Sequence, residues 1–197
     1  MESSLTDPLI ARARGGDQKA QAQLFEAAAE PALSYIRLRL GARLRQEVDS
    51  MDILQEAFVA AHRDLPQADI DSFGDYLKWL CRIIEHRSLQ GSEKANAAKR
   101  LSPGRREALS GIMDRVRDRV TGPQTAALRS ERKDRIHAAL KAEPDDIRQV
   151  LLARFFEGRT LDAIAKTTGK SPSGVRRILG EAAIRLARQL RDLGESA

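Results

Sequence analysis

Two groups of side chains in this 197-residue chain are spaced to do chemistry. The first is basic. Arg176 and Arg177 follow Ser171-Pro172-Ser173-Gly174, and a guanidinium can bond guanine O6 and N7 together or neutralise a phosphate. The second is acidic. Asp52 and Glu56 lie four apart, with Asp49 one turn earlier and Gln55 adjoining, so a helix would present them on one face. That face suits a basic protein partner, or reads simply as a solvated helix surface. Bond-making chemistry is not indicated. His62, His86 and His137 are scattered, and Cys81 has no second thiol to form a disulfide or a cysteine zinc cluster. No phosphate-cradling loop, dinucleotide fingerprint or nucleophile elbow occurs. The expectation is a non-enzyme with no catalytic residues, no metal, no cofactor and no small-molecule substrate.

The elements that must position the arginines are readable around them. Thr160 can cap a short helix with Asp162 in its first turn, favourable against the helix dipole. Ile164 points to the core, and Ala165 must be small where a second helix crosses. Gly169 permits a left-handed turn. Ser171 caps the second helix, Pro172 suits its first turn, and Val175, Ile178 and Leu179 anchor it on the first. This is the spacing of a DNA-binding helix-turn-helix. The anchors leave Ser173, Gly174, Arg176 and Arg177 on the outer side, with Lys170 and Ser171 in the turn, where phosphate contacts are usual. An ordinary helical hairpin with a basic face is the bland alternative.

Elsewhere apolar residues recur at helical spacing, and no stretch alternates as a strand would. Asp17 caps a helix through Ala20, Leu24, Phe25 and Ala28; Pro31 opens the next, with Leu33, Ile36, Leu40 and Leu44. A third helix starts near Asp49 or Ser50 and ends before Pro66. Residues 65–72 form a short acidic loop, with Ser72 capping a fourth helix over 73–89. Within that helix Trp79 reads as core or as a stacking platform, and Cys81 as a small filler. Residues 91–127 are punctuated by Gly, Ser and Pro and rich in basic groups, and read as a flexible basic linker with one short helix around Ile112, Met113, Val116 and Val120. A helix over 124–142 comes next, then one over 145–156 with Ile147, Val150, Leu151 and Phe155 inward and Gly158 ending it.

Composition agrees. Ala numbers 29, Arg 26 and Leu 23, all strong helix formers, while aromatics are only 4%. No apolar run approaches the roughly 20 residues of a membrane span, and residues 1–17 lack a secretory apolar core, so the expected setting is cytoplasmic with no membrane partner. The net charge of +6 is uneven: residues 1–90 carry 11 basic and 14 acidic groups, 91–130 carry 9 and 4, and 131–197 carry 14 and 10. An acidic front and a basic back suggest two partners, the second polyanionic.

Three motifs together resemble the extracytoplasmic-function (ECF) sigma factors, the compact two-domain type of bacterial sigma subunit. The first is Asp52-Ile53-Leu54-Gln55-Glu56-Ala57-Phe58-Val59, similar to a helix of the family's region two. The second is Tyr76-Leu77-Lys78-Trp79-Leu80-Cys81-Arg82-Ile83. The third is Phe155-Phe156-Glu157-Gly158 leading into Ile164-Ala165 and Val175-Arg176, which resembles region four. The resemblance covers roughly residues 7–90 and 128–192. It departs at His86 and Gln90, where the family usually has Asn and Asp, at Ile178, often Arg, and at Gly180-Glu181, which replaces a typically basic pair.

The resemblance implies an all-α transcription initiation factor of two small helical domains. Residues 1–90 would be region 2-like, 91–127 the linker and 128–197 region 4-like. Core RNA polymerase would dock on Asp49, Asp52, Ile53, Gln55 and Glu56. Arg82, His86, Arg87 and Gln90 would meet the minus-ten element, helped by residues 65–72. Lys170, Ser171, Ser173, Gly174, Arg176 and Arg177 would meet the minus-thirty-five element. Promoter DNA and core polymerase are the implied partners, and an anti-sigma protein is a further partner the resemblance admits. A dimeric helix-turn-helix repressor or activator, and a recombinase or nuclease using Asp52 and Glu56, are the competing readings.

Overall fold

The computed structural model describes residues 3–40, 49–89 and 131–195, with side chains over 8–40, 49–86 and 134–189. It contains α1 (Ser3–Arg14), α2 (Gln18–Arg39), α3 (Ser50–Asp64), α4 (Phe73–Leu89), α5 (Glu131–Ala142), α6 (Asp145–Leu151), α7 (Leu161–Thr168) and α8 (Pro172–Glu195), and no strand among the described residues. The chain divides into two compact units, residues 1–125 and 126–197. The anticipated linker with its short helix, the Leu44 position and residues 124–130 of the adjoining helix lie outside the described residues.

In the first unit, α2 is central and packs on α1, α3 and α4. It is entered through a tight turn. Asp17 N–H bonds the Arg12 carbonyl at 3.1 Å and Gly16 N–H bonds Ala13 at 3.2 Å, a pattern that puts Gly16 at φ +92°, where a Cβ is disfavoured. The Asp17 carboxylate then accepts from the Lys19 and Ala20 amides at 2.9 and 3.1 Å. Pro31 does not open a new helix: α2 runs through it without a break. The proline removes only the hydrogen bond to the Ala27 carbonyl, and Ala27 is exposed, so water can replace it. Ala28, Ala29, Ala32 and Leu33, all buried on either side, hold the helix in register.

The core of this unit is large and aromatic. Phe25 of α2 stacks on Phe58 of α3, ring centres 4.7 Å apart and planes within 8°. Tyr35, Leu54, Tyr76, Leu80 and Ile84 are also fully buried. Each such side chain contributes about 1.5–3 kcal/mol relative to exposure. Trp79 is half-buried, tilted against Tyr76 at 5.9 Å, so it is neither wholly core nor a free platform. Cys81 is buried.

In the second unit, α8 is central and packs on α5, α6 and α7. Here Phe155 departs from expectation: it is 62% exposed, not inward. Past Leu151 the helix continues as a π turn over Leu152–Phe156, where Glu157 N–H reaches back five residues to the Leu152 carbonyl at 3.1 Å. The extra residue rotates the downstream chain by roughly 100°. Leu152 and Ala153 consequently join Val150 and Leu151 inside, and Phe155 turns out. Gly158, at φ +66°, ends the segment as its position suggested.

Candidate functional site

The helix-turn-helix forms as its local signals dictate. Thr160 Oγ1 accepts from the Ala163 amide at 3.2 Å to start α7. Gly169 stops it at φ +65°, and the Lys170 amide closes the turn onto the Ala165 carbonyl at 3.2 Å. The hydroxyls of Thr167 and Thr168 donate to the Ala163 and Ile164 carbonyls, so both are turned back on α7. Ser171 Oγ then accepts from the Gly174 amide at 3.1 Å to start α8. Val150, Ala153, Ile164, Ala165 and Val175 form the buried core beneath, with Leu161, Ile178 and Leu179 packed against it. Ala165, expected at the crossing of the two helices, is buried in that core.

The outer side of α8 carries the sequence-predicted residues. Ser173, Arg176 and Arg177 are exposed. Arg177 is held along the helix by Glu181, Nη1 to Oε1 at 2.9 Å. Arg176 makes no ion pair among the described residues, so its guanidinium is available. Gly174 is half-buried, and a Cβ there would lie 3.2 Å from Ser171 Oγ, pressing on the cap. Its contribution is a bare stretch of backbone at the start of the helix. Ser171 and Lys170 are both engaged within the unit. Ser171 Oγ serves the cap and shares a hydrogen bond with Ser173 Oγ at 3.1 Å, and Lys170 Nζ lies 3.5 Å from Asp146.

The acidic group lies in the first unit, on α3. Asp49 caps the helix, accepting from the Met51 amide at 2.8 Å. Asp52 and Gln55 are exposed and Glu56 is half-exposed; Asp52 and Glu56 pair with no cation among the described residues. Ile53 is different. At 8% exposed it faces the bundle, because its neighbours on the apolar stripe, Leu54 and Ala57, are fully buried. It therefore supports the acidic face from beneath and offers little surface of its own.

On α4, Arg82 and His86 are exposed and four residues apart, sharing a face. Arg87 lies on the same helix with its side chain outside the described atoms, and Gln90 lies outside the described residues. The loop before α4 is pinned: Ala68 and Ile70 are buried, and Arg14 Nη1 donates to the Ile70 carbonyl at 3.2 Å. Asp69 and Asp71 are exposed between these anchors. Ser72 Oγ accepts from the Asp75 amide at 3.1 Å and donates to the Asp75 carboxylate at 2.6 Å. That hydrogen bond, with Lys78 nearby, lowers the Asp75 pKa below its ordinary value. Among the described residues no cluster of three or more His, Cys, Asp or Glu could hold a metal, and no helix is long and apolar enough to cross a membrane.

Sequence reasoning missed two polar clamps. Arg39 at the end of α2 pairs with buried Glu85 of α4 at 3.0 Å. Arg185 of α8 grips buried Glu143 at the α5–α6 corner at 2.8 Å, which raises the arginine's pKa further. The partners are 46 and 42 residues apart, and no local pattern announces them.

Residues 139–188, which contain the whole helix-turn-helix, match the family Sigma-70, region 4. Over 180 residues the chain is 29% identical to the RNA polymerase sigma-H factor of Pseudomonas aeruginosa, covering 84% of this chain and 83% of that one. The ECF RNA polymerase sigma factor SigD of Mycobacterium bovis is 24% identical over 176 residues, 89% of this chain and 79% of its own length. The SigD of Mycobacterium tuberculosis matches to the same extent.

Proposed function

We infer that this chain is an ECF sigma factor, the sigma subunit that directs RNA polymerase to specific promoters and assists their opening. The observation that carries this reading is the coincidence of the region 4 match with a complete, capped helix-turn-helix whose exposed face holds Arg176 and Arg177. A sigma subunit must touch a protein and a nucleic acid at once. The carboxylates of α3, without a cation partner among the described residues, and the arginines of α8 are chemically opposite surfaces on separate compact units, as that task requires. A dimeric repressor would need only the second of them.

In this reading residues 1–90 form the polymerase- and minus-ten-binding domain, 91–127 the linker and 128–197 the minus-thirty-five-binding domain. Asp52, Gln55 and Glu56 would meet a basic surface of core polymerase, with Asp49 fixing the start of their helix and Ile53 holding it to the bundle. Arg82 and His86, with Arg87 and Gln90 beyond them, would supply hydrogen bonds, stacking and phosphate contact to a strand being opened. Arg176 would read a base edge, Arg177 would be shared between DNA and Glu181, and Lys170, Ser171, Ser173 and the Gly174 backbone would contact phosphates. An anti-sigma protein masking either surface is compatible with the arrangement. The metal chemistry of synthesis would remain with the polymerase, and the protein would act where the polymerase does, in the cytoplasm.

Run-off transcription with core polymerase on a genomic library tests the reading. Promoter-specific transcripts should appear only when the protein is added; an unchanged transcript set would remove it. Asp52→Arg with Glu56→Arg should abolish co-purification with core polymerase while the helical circular dichroism stays intact. Normal co-purification of that double variant would sink the docking assignment. Arg176→Ala should cost about 1–3 kcal/mol of promoter affinity at one base pair. Uniform weakening on all sequences would make it a phosphate contact instead.

A further inference from the structure

Glu143 stands at the corner between α5 and α6, just before Pro144, with its side chain 3% exposed. A carboxylate so placed is costly to desolvate unless charged donors meet it. Arg185 meets it with one N–H to each oxygen, Nε to Oε1 at 3.2 Å and Nη2 to Oε2 at 2.8 Å. The corner is itself braced. Arg148 Nη1 donates to the Glu143 carbonyl at 3.0 Å, and its guanidinium also pairs with Asp145. The neighbouring Asp146 reaches Lys170 in the turn before α8. One corner thus grips the recognition segment on both sides of Arg176 and Arg177.

The apolar contacts under α8 are small: Val175 and Ala182 are buried, Ile178 and Leu179 only partly so. Few large side chains therefore key α8 against its neighbours, and the two-pronged guanidinium–carboxylate pair adds a directional restraint on its roll and axial position. Because α8 is one unbroken helix, Arg185 lies about 13 Å along its axis from Arg176. A roll or slide permitted at Arg185 is carried to Arg176.

We propose that Glu143 is a positioning residue for base reading, fixing the rotation and height of α8 through Arg185 and so placing Arg176. This rests on the reading of α8 as the minus-thirty-five recognition helix. The test uses polymerase reconstituted with the full chain on a promoter recovered from the run-off library, and on single-base variants of its upstream element. Glu143→Gln should lower base discrimination about five- to tenfold. Association with core polymerase should be unchanged. In the Glu143→Gln background Arg176→Ala should then cost correspondingly less, the two effects failing to add.

Glu143→Leu combined with Arg185→Met refills the corner with apolar groups and keeps the unit folded even if Glu143→Gln does not. Its thermal midpoint should match or exceed the wild type while discrimination stays low. Unchanged discrimination in folded Glu143→Gln, additive effects with Arg176→Ala, or full discrimination by the apolar pair would each overturn the proposal. Loss of any Arg176→Ala effect in the wild-type background would overturn the recognition-helix reading itself, which separates the two failures.

Discussion

Phe25, Tyr35, Phe58 and Tyr76 are fully buried in the first unit, whereas the second buries no aromatic ring among its described residues and leaves Phe155 and Ile184 largely exposed. The first unit is held by bulk: side chains from three helices close over α2. The second is held by aliphatic side chains, among them Leu140, Leu151, Leu152 and Ile164. Both units add polar contacts: Asp17, Ser72 and Arg39–Glu85 in the first, Thr160, Ser171, Lys170–Asp146 and Arg185–Glu143 in the second. Where fewer rings fill the core, the orientation of a helix depends more on directional contacts such as the Arg185–Glu143 pair.

The contrast can be broken or sharpened by substitution. Phe58→Ala should have the largest effect, removing the stack on Phe25 and destabilising the first unit by about 3–5 kcal/mol. Trp79, the single tryptophan, lies in that unit, so its fluorescence in denaturant isolates the loss. A shift below 1 kcal/mol (roughly the size of a surface effect) would show that the aromatic core does not dominate.

Ala165→Leu should overpack the helix crossing and cost the second unit about 1–3 kcal/mol. The helical signal should show an earlier transition for this unit while the Trp79 midpoint stays in place; movement of both would mean that the units do not unfold separately. Gly169→Ala should cost about 1 kcal/mol, and from backbone strain alone, because nothing lies within 4 Å of the added Cβ at φ +65°. A neutral result would mean the turn relaxes to another conformation.

The smallest effect is on pH dependence. Hydrogen bonds from Arg12 and the Ala20 amide lower the Asp17 pKa, and those from Ser72 and Lys78 lower that of Asp75. A carboxyl more acidic in the folded state stabilises above its unfolded value, near 3.8 for both, and that contribution disappears as pH falls through the lower folded value. The first unit should therefore lose stability below about pH 4. Asp17→Asn with Asp75→Asn should flatten that acid limb in Trp79-monitored unfolding, and an unchanged limb would assign it to other carboxyls.

Legibility tracked the range of the interactions. Asp17, Asp49, Ser72, Thr160 and Ser171 all cap helices as their types and spacing indicate, because a cap bonds amides two or three residues away. Pro31 misled because helix breaking depends on whether the freed carbonyl can find water, and only the fold shows that Ala27 faces solvent. Phe155 misled because helical periodicity assumes 3.6 residues per turn, and one π turn shifts the register after it. Ile53 shares its apolar spacing with Leu54, Ala57 and Phe58 and is buried with them; only the family resemblance adds it to the docking surface.

The sequence by itself determined that the chain is helical, where most helices start and stop, and that an acidic face and an arginine-bearing helix-turn-helix both exist. These properties arise from propensity, caps and apolar spacing, which act within about two turns of chain. The fold alone settled which polar groups are buried, and that Glu143 and Glu85 clamp helices 42 and 46 residues away. Burial and ion pairing depend on what the folded chain brings alongside, and no local pattern carries that information.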